Sequence, residues 1–254
     1  MTRVGVSGAA GRMGRLVAET IAYATGFELT ALFDPQAAGE TIAGLEVSGT
    51  PEVMVDADVV VEFTVPDVVM ANLRTWHALG RHAVVGTSGF GEERLQELDD
   101  LWTVGAGNCL IVPNFSIGAV VMMRLAEIAA PHFDAAEVIE MHHDRKVDAP
   151  SGTATATAGR IARAAAGQRR EVASKELVSG ARGADVDGVP VHAVRLPGLV
   201  AHQAVMFGGM GETLTIRHDT TDRQAFMPGV VLAVRRVGDL PMPVTVGLDP
   251  LLGL

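Results

Sequence analysis

The sequence predicts an α/β protein: a Rossmann-like doubly wound parallel sheet, plus a second α+β domain with an open mixed or antiparallel sheet. Three observations carry that expectation. Five strand-like apolar runs alternate with helical patterns in about the first 110 residues, the rhythm of a parallel sheet. A glycine-rich turn follows the first run and opens the first helical pattern. Past residue 116 the rhythm changes to longer alternating runs separated by glycine-containing turns.

Residues 3–7 (RVGVS) read as a short buried strand, Gly8 to Gly14 as the turn, and residues 12–25 as a helix carrying Met13, Leu16, Val17, Thr20 and Ile21. Residues 27–33 (FELTALF) return to strand, ended by Asp34 and Pro35, and such a strand–helix–strand unit builds parallel pairs. The continuous run 57–65 (ADVVVEFTV) suits a strand buried on both faces. A helix over 68–80 is closed by Gly80. A strand follows over 82–89, then a helix over 91–102 and a strand over 109–115. Next come an amphipathic helix over 117–130, a strand over 136–143 ending in polar residues, and an Ala-rich helix over 153–167. Residues 168–188 read as a long flexible loop, and 189–219 as three strands of a flat antiparallel sheet. A helix over 223–237 and a strand over 244–248 are expected to return to the first domain.

Composition narrows the function classes. A chain of 254 residues has room for one large domain or two smaller ones, and 48% hydrophobic with 20% charged residues is a folded, globular balance. With 4% aromatics and a net charge of −10, neither base stacking nor binding to a polyanion is favoured, so no nucleic-acid partner is expected. The pair Arg169-Arg170 reads as a helix-end cap. Cys109 is the single cysteine, which excludes an intrachain disulfide and a cysteine-based zinc site, and it reads as a small buried apolar residue. The eleven methionines read as core filler. No run of 18 apolar residues suggests a membrane span, and the chain enters the glycine motif too early to leave room for a signal peptide. A soluble, cytoplasmic protein is the expectation.

Gly8-Ala9-Ala10-Gly11-Arg12-Met13-Gly14 lies between a strand and a helix. Gly8 would let the chain turn, Gly11 would let backbone N–H groups reach a pyrophosphate, and Gly14 would let helix and strand pack closely. Asp34 ends the second strand twenty residues after Gly14, where a carboxylate accepts hydrogen bonds from a ribose. No Arg or Lys follows in Asp34-Pro35-Gln36, so NADH should serve at least as well as NADPH, although Arg12 would partly offset the repulsion of a 2′-phosphate. Phe63-Thr64 with Pro66, and Gly86-Thr-Ser-Gly89, fall at strand C-termini, where ligands bind in open α/β sheets.

Residues 140–154 hold the chemistry. Ser151 is a natural N-cap, and Gly152 and Thr153 follow at the positive end of the helix it opens. With Lys146 nearby, these residues make a receptor for a carboxylate or phosphate. His142 and His143 would point to opposite faces of a strand, which argues against a two-His metal site, and no metal is expected. One of the two would face the substrate as proton donor.

These motifs resemble the dihydrodipicolinate reductase (4-hydroxy-tetrahydrodipicolinate reductase) family of bacterial lysine biosynthesis. The matching strings are Gly8 to Arg15, Val61-Glu-Phe-Thr64, Gly86-Thr-Ser-Gly89, Val112-Pro-Asn-Phe-Ser-Ile-Gly118 and Glu140-x-His-His-x-x-Lys-x-Asp-Ala-Pro-Ser-Gly-Thr153. The resemblance runs from the first strand to the last ten residues and looks closest to the actinobacterial branch, through Gly180 to Arg195 and Thr245 to Leu252. Asp144-Arg145 stands where relatives often carry another His or Pro, and Ser88 where Thr is usual.

The resemblance implies the following roles. His142 would be the proton donor and Lys146 a second proton-donating, substrate-orienting residue. His143, Gly152 and Thr153 would contact substrate carboxylates, with Ser151 beside them. Gly8 to Met13, Asp34, Phe63, Gly86, Thr87, Ser88, Val112, Pro113, Asn114 and Phe115 would contact NADH or NADPH. The substrate would be a cyclic dicarboxylic imine made from aspartate semialdehyde and pyruvate. It would lose water, accept hydride at ring C4 and take a proton from His142 or Lys146. Residues 1–113 with 219–254 would form the dinucleotide-binding domain. Residues 114–218 would bind substrate and build a homotetramer, and domain closure on binding is expected. The competing readings are another two-domain NAD(P)-dependent dehydrogenase and a non-catalytic dinucleotide-binding regulator. Neither gives a reason for the His-His…Lys…Ser-Gly-Thr string.

Overall fold

The computed structural model describes residues 1–103, 105, 107–165, 170 and 172–254. The capping role read for Arg169, and the end of the helix read to residue 167, lie outside the described residues. The chain divides into two units, Met1–Ser116 with Phe226–Leu254, and Ile117–Ala225.

The first unit opens with β1 (Thr2–Ser7), α1 (Arg12–Tyr23) and β2 (Phe27–Phe33). The face α1 buries is Gly14, Val17, Ala18 and Ile21, a stripe at helical spacing. A short hairpin, β3 (Thr41–Ile42) and β4 (Leu45–Glu46), follows; neither strand was foreseen. Then come β5 (Val59–Glu62), α2 (Val69–Ala78), β6 (His82–Val85), α3 (Glu92–Leu101) and β7 (Cys109–Ile111). β1 and β2 match their apolar runs closely, whereas β5, β6 and β7 are shorter than theirs. Only four residues of the 57–65 run pair with β1 and β6; beyond Glu62 the chain leaves the ladder for a turn. Leu73, Trp76 and Trp102 pack with Val60, Ala83 and Cys109 in a core whose members are almost wholly buried. That burial holds the Cys109 thiol well above its ordinary pKa.

The second unit runs α4 (Ile117–Ala129), β8 (Ala135–His142), α5 (Gly152–Ala164), β9 (Ala184–Val186), β10 (Val189–Arg195), β11 (Ala201–Gly209) and β12 (Glu212–Thr220). Its five strands lie in the order β12-β11-β8-β10-β9. Of the two sheets expected for this unit, mixed or antiparallel, the first is found, and the antiparallel reading of 189–219 is corrected because β10 does not pair with β11. The sheet is mixed, because α5 carries the chain from β8 back to a parallel β10, while the other pairings are antiparallel. The expected loop over 168–188 ends in a strand, β9, joined to β10 by Asp187-Gly188. Both turn residues have positive φ, 54° and 79°, as a tight two-residue hairpin turn requires. Along β8 the buried residues alternate, Ala136, Val138 and Glu140, and this face packs with Ala154, Ala158 and Ile161 of α5.

After the second unit the chain re-enters the first with α6 (Met227–Arg236), β13 (Val244–Val246) and α7 (Asp249–Leu252). β13 pairs in parallel with β7, completing a six-stranded sheet in the order β13-β7-β6-β5-β1-β2. The order reverses between β1 and β5, a switch point at which open α/β sheets hold ligands. Among the described residues no helix is long and apolar enough to cross a membrane.

Candidate active site

The first unit gathers its candidate residues at the carboxyl ends of β1, β2, β5, β6 and β7. Gly8 turns the chain at φ 73°, and its amide donates to Phe33 O at 2.9 Å. A Cβ on Gly8 would lie 2.6 Å from Phe63 O, so the turn after β1 and the turn after β5 touch at the switch point. Gly14 sits against the turn itself: a Cβ there would lie 2.1 Å from Gly8 O. Gly11 is the N-cap of α1, followed by Arg12 and Met13 as its first helical residues. Such a helix start, reached by a bare backbone, suits a pyrophosphate. Asp34 follows β2, and its Oδ2 accepts the Ala10 amide at 3.1 Å. Its Oδ1 accepts the Gln36 amide at 3.1 Å, and a carboxylate with four lone-pair sites still has room for a ribose hydroxyl. The Phe63 and Phe115 rings lie against each other at a centroid distance of 5.4 Å, tilted by 42°. Gly86 donates its amide to Glu62 O at 2.9 Å, Thr87 is buried and Ser88 is exposed. Val112 donates to Val85 O at 2.8 Å; Pro113 and Asn114 follow, and Asn114 Oδ1 accepts the Ser116 amide at 2.8 Å. The residues present therefore fit a dinucleotide.

One residue here, present in the Val61-Glu-Phe-Thr64 string, had no role assigned to it from the sequence. Glu62, inside an apolar run, is wholly buried and accepts from Trp76 Nε1 at 2.9 Å, from the Thr64 amide at 3.2 Å and from the Thr64 hydroxyl. A buried carboxylate surrounded by donors fixes the Phe63-Thr64 turn. The signal was a lone acid in a strand otherwise buried on both faces.

The second unit brings its candidates together around another buried acid. Glu140 and His142 lie two apart on β8 and so share a face. Glu140 is fully buried. His142 Nδ1 lies 2.5 Å from Glu140 Oε2. From β10, Arg195 grips both oxygens, Nη1 to Oε2 at 2.7 Å and Nη2 to Oε1 at 2.8 Å. The Ser151 amide donates to Oε1 at 3.0 Å. Burial alone would raise the Glu140 carboxyl, but these donors overcome it and hold its pKa below the ordinary carboxylate value. The His142 imidazole is pushed below the usual histidine value by burial, with Lys146 and Arg195 adding to the shift and Glu140 opposing it.

Ser151 caps α5 as expected, its Oγ accepting from the Ala154 amide at 3.2 Å, and Gly152 and Thr153 begin the helix. Lys146 is half-buried, and its Nζ lies 2.8 Å from both carboxylate oxygens of exposed Asp148. β8 ends at His142, so the expected opposition of the two histidines across one strand does not extend to His143. His143 Nδ1 is buried with no hydrogen-bond partner among the described residues. Asp144 and Arg145 are exposed in the turn closed by the Lys146 amide on His143 O at 3.1 Å. Glu140, Arg195 and Asp148 were not foreseen as site residues. Glu140 could have been suspected as a charge at an inward position of an alternating strand; Arg195 reaches the site only through the β8–α5–β10 crossover. Among the described residues no group of three or more His, Cys, Asp or Glu side chains converges to hold a metal.

A parallel sheet with a glycine turn at its switch point, joined to a unit with a mixed sheet and a polar cluster at a helix start, defines a two-unit α/β protein of the dinucleotide-binding class. Comparison with known proteins narrows this. Residues 2–115 match the family model described as dihydrodipicolinate reductase, N-terminus, and residues 118–252 match its C-terminus. The 4-hydroxy-tetrahydrodipicolinate reductase of Nocardia farcinica is 53% identical over 258 residues, covering 99% of both chains. That of Thermobifida fusca is 50% identical over the full length of both. A dipicolinate-bound dihydrodipicolinate reductase from Paenisporosarcina sp. TG-14 superposes with a TM-score of 0.87 at 38% identity, over 98% of this chain and 99% of that one. The chain belongs to the dihydrodipicolinate reductase family.

Proposed function

We propose that the protein reduces the cyclic dicarboxylic imine 4-hydroxy-tetrahydrodipicolinate, in dehydrated form, to tetrahydrodipicolinate in the diaminopimelate and lysine route, in the cytoplasm. The observation that carries the reading is the cluster at the start of α5. A proton-carrying imidazole, an ammonium and a helix N-terminus gather about the buried Glu140 carboxylate and its Arg195 partner. The relative that carries dipicolinate, a flat ring with two carboxylates, supports the same class of ligand.

Gly8 to Met13, Asp34, Phe63, Gly86 to Ser88 and Val112 to Phe115 would hold NADH or NADPH, which supplies a hydride to ring C4 when bound. Lys146 exchanges its contact with Asp148 for one substrate carboxylate, while the Gly152 and Thr153 end of α5, with His143, receives the other. Hydride addition leaves an electron-rich enamine. His142, as imidazolium, gives its Nε2 proton to the ring carbon and keeps the nitrogen electron pair. Its resting pKa lies below the usual value, so arrival of a doubly anionic ring, which favours the cation, is what charges it. Assembly as a homotetramer through the second unit belongs to the same reading, and light scattering reads it directly.

The test is an initial-rate assay with NADH and with NADPH, on substrate generated in place from aspartate semialdehyde and pyruvate by the preceding synthase. Oxidation of the dinucleotide that depends on both precursors is the expected result. No oxidation with either dinucleotide overturns the proposal.

A further inference from the structure

We infer that Glu140 and Arg195 form a positioning pair that dictates which nitrogen of His142 carries its resident proton and which one works. A carboxylate offers about four lone-pair sites. At Glu140 all four are taken, two by the Arg195 guanidinium, one by the Ser151 amide and one by His142 Nδ1. Guanidinium and amide groups only donate there, and the doubly held carboxylate is ionised. The proton between Glu140 and His142 therefore sits on Nδ1. In neutral His142 the lone pair lies on Nε2, and among the described residues no group hydrogen-bonds that nitrogen. Nε2 is the atom that picks up a proton and passes it on.

The same pair anchors the loop that carries Lys146. Glu140 holds the Ser151 amide at the far end of the loop, and Arg195 Nη2 donates to Asp148 O at 2.6 Å inside it. At the near end the Leu196 amide donates to His142 O at 3.0 Å. Proton donor, ammonium and helix start are thus referenced to one ion pair, a buried Glu140 held by a half-buried Arg195. Stability does not account for the buried acid, because an apolar residue following Ala136 and Val138 would fill an inward position of β8 without desolvating a carboxylate. A role in orienting the site does.

This inference rests on the proposed reduction only for the fate of the Nε2 proton, so its test begins without substrate. The full chain is labelled with ¹⁵N-histidine and His142 is assigned by comparison with His142→Gln, which separates it from the other seven histidines. The charged groups that bear on its titration are Glu140, Lys146 and Arg195. Neutral His142 is expected to carry its proton on Nδ1; a proton on Nε2 in the unaltered protein overturns the inference. In Glu140→Gln the oxygen stays toward Ser151 and Arg195 Nη2, so the amide NH₂ faces Nδ1 and the proton moves to Nε2. Its kcat should fall roughly 10–100-fold, the usual cost of losing an orienting partner, with KM changed less than about threefold. The basic limb of its pH profile, where His142 loses the proton it must donate, should move to lower pH, because the carboxylate that favoured the imidazolium is gone. A folded Glu140→Gln with the original tautomer and kcat also overturns the inference. Where that variant does not fold, the spectrum of the unaltered protein decides. A protein with the Nδ1 proton but no turnover refutes the reductase proposal and leaves the positioning pair standing.

Discussion

Substitution of Gly14 by Ala tests the dinucleotide turn where the geometry is least forgiving. The added methyl would lie 2.1 Å from Gly8 O, 2.8 Å from Gly8 C and 2.9 Å from Ala9 Cα. All three are backbone atoms, so no side chain can swing aside, and α1 must move away from the turn by more than an ångström. Overpacking of this kind costs about 3 kcal/mol, the upper end of the usual range. For a chain of this size that corresponds to a fall in Tm of roughly 6–12 °C. The Gly11 amide and the first turn of α1 move with the helix, so dinucleotide affinity should drop at least about tenfold, equivalent to 1.4 kcal/mol. Circular dichroism melting and a fluorescence titration with NADH and NADPH read the two effects. Glu19→Ala, on the exposed side of the same helix, should change neither. A Gly14→Ala protein that melts within about 2 °C of its parent and binds dinucleotide equally well would refute the reasoning.

Three further outcomes follow from the site. His142→Ala should lower turnover roughly 10²–10⁴-fold, the usual worth of a positioned acid, and unchanged turnover in steady-state assays would remove it from that role. Lys146→Ala should raise KM and lower kcat together. It should also raise the His142 pKa, because the Lys146 charge is one of the causes that depress it, and ¹⁵N titration measures that directly. Cys109 should react with a thiol reagent only as fast as the protein opens, since burial raises the thiol and keeps it uncharged; rapid modification of the native protein would contradict the core described above.

The parts of this fold legible in the sequence are those governed by local pattern. The alternation of apolar runs with helical stripes gave the parallel sheet, and the glycine spacing gave the turn at Gly8. The N-cap at Ser151 followed from residue type alone. Pairing between distant strands was not legible. Arg195 lies 55 residues from Glu140, and only the parallel β8–β10 register places it beside His142. The β9 hairpin was missed because Asp187-Gly188 sits in a polar stretch whose turn chemistry outweighs its loop-like composition. Glu62 and Glu140 were given no role for one reason: each is an acid at a buried position of a strand, and its meaning comes from donors that arrive from elsewhere in the fold.

The most direct measurement is a crystal structure with pyridine-2,6-dicarboxylate. The ring is expected beside His142 Nε2, with one carboxylate on Lys146 Nζ in place of Asp148 and the other on the amides that open α5. A ligand bound elsewhere, with Lys146 still paired to Asp148, would contradict that placement.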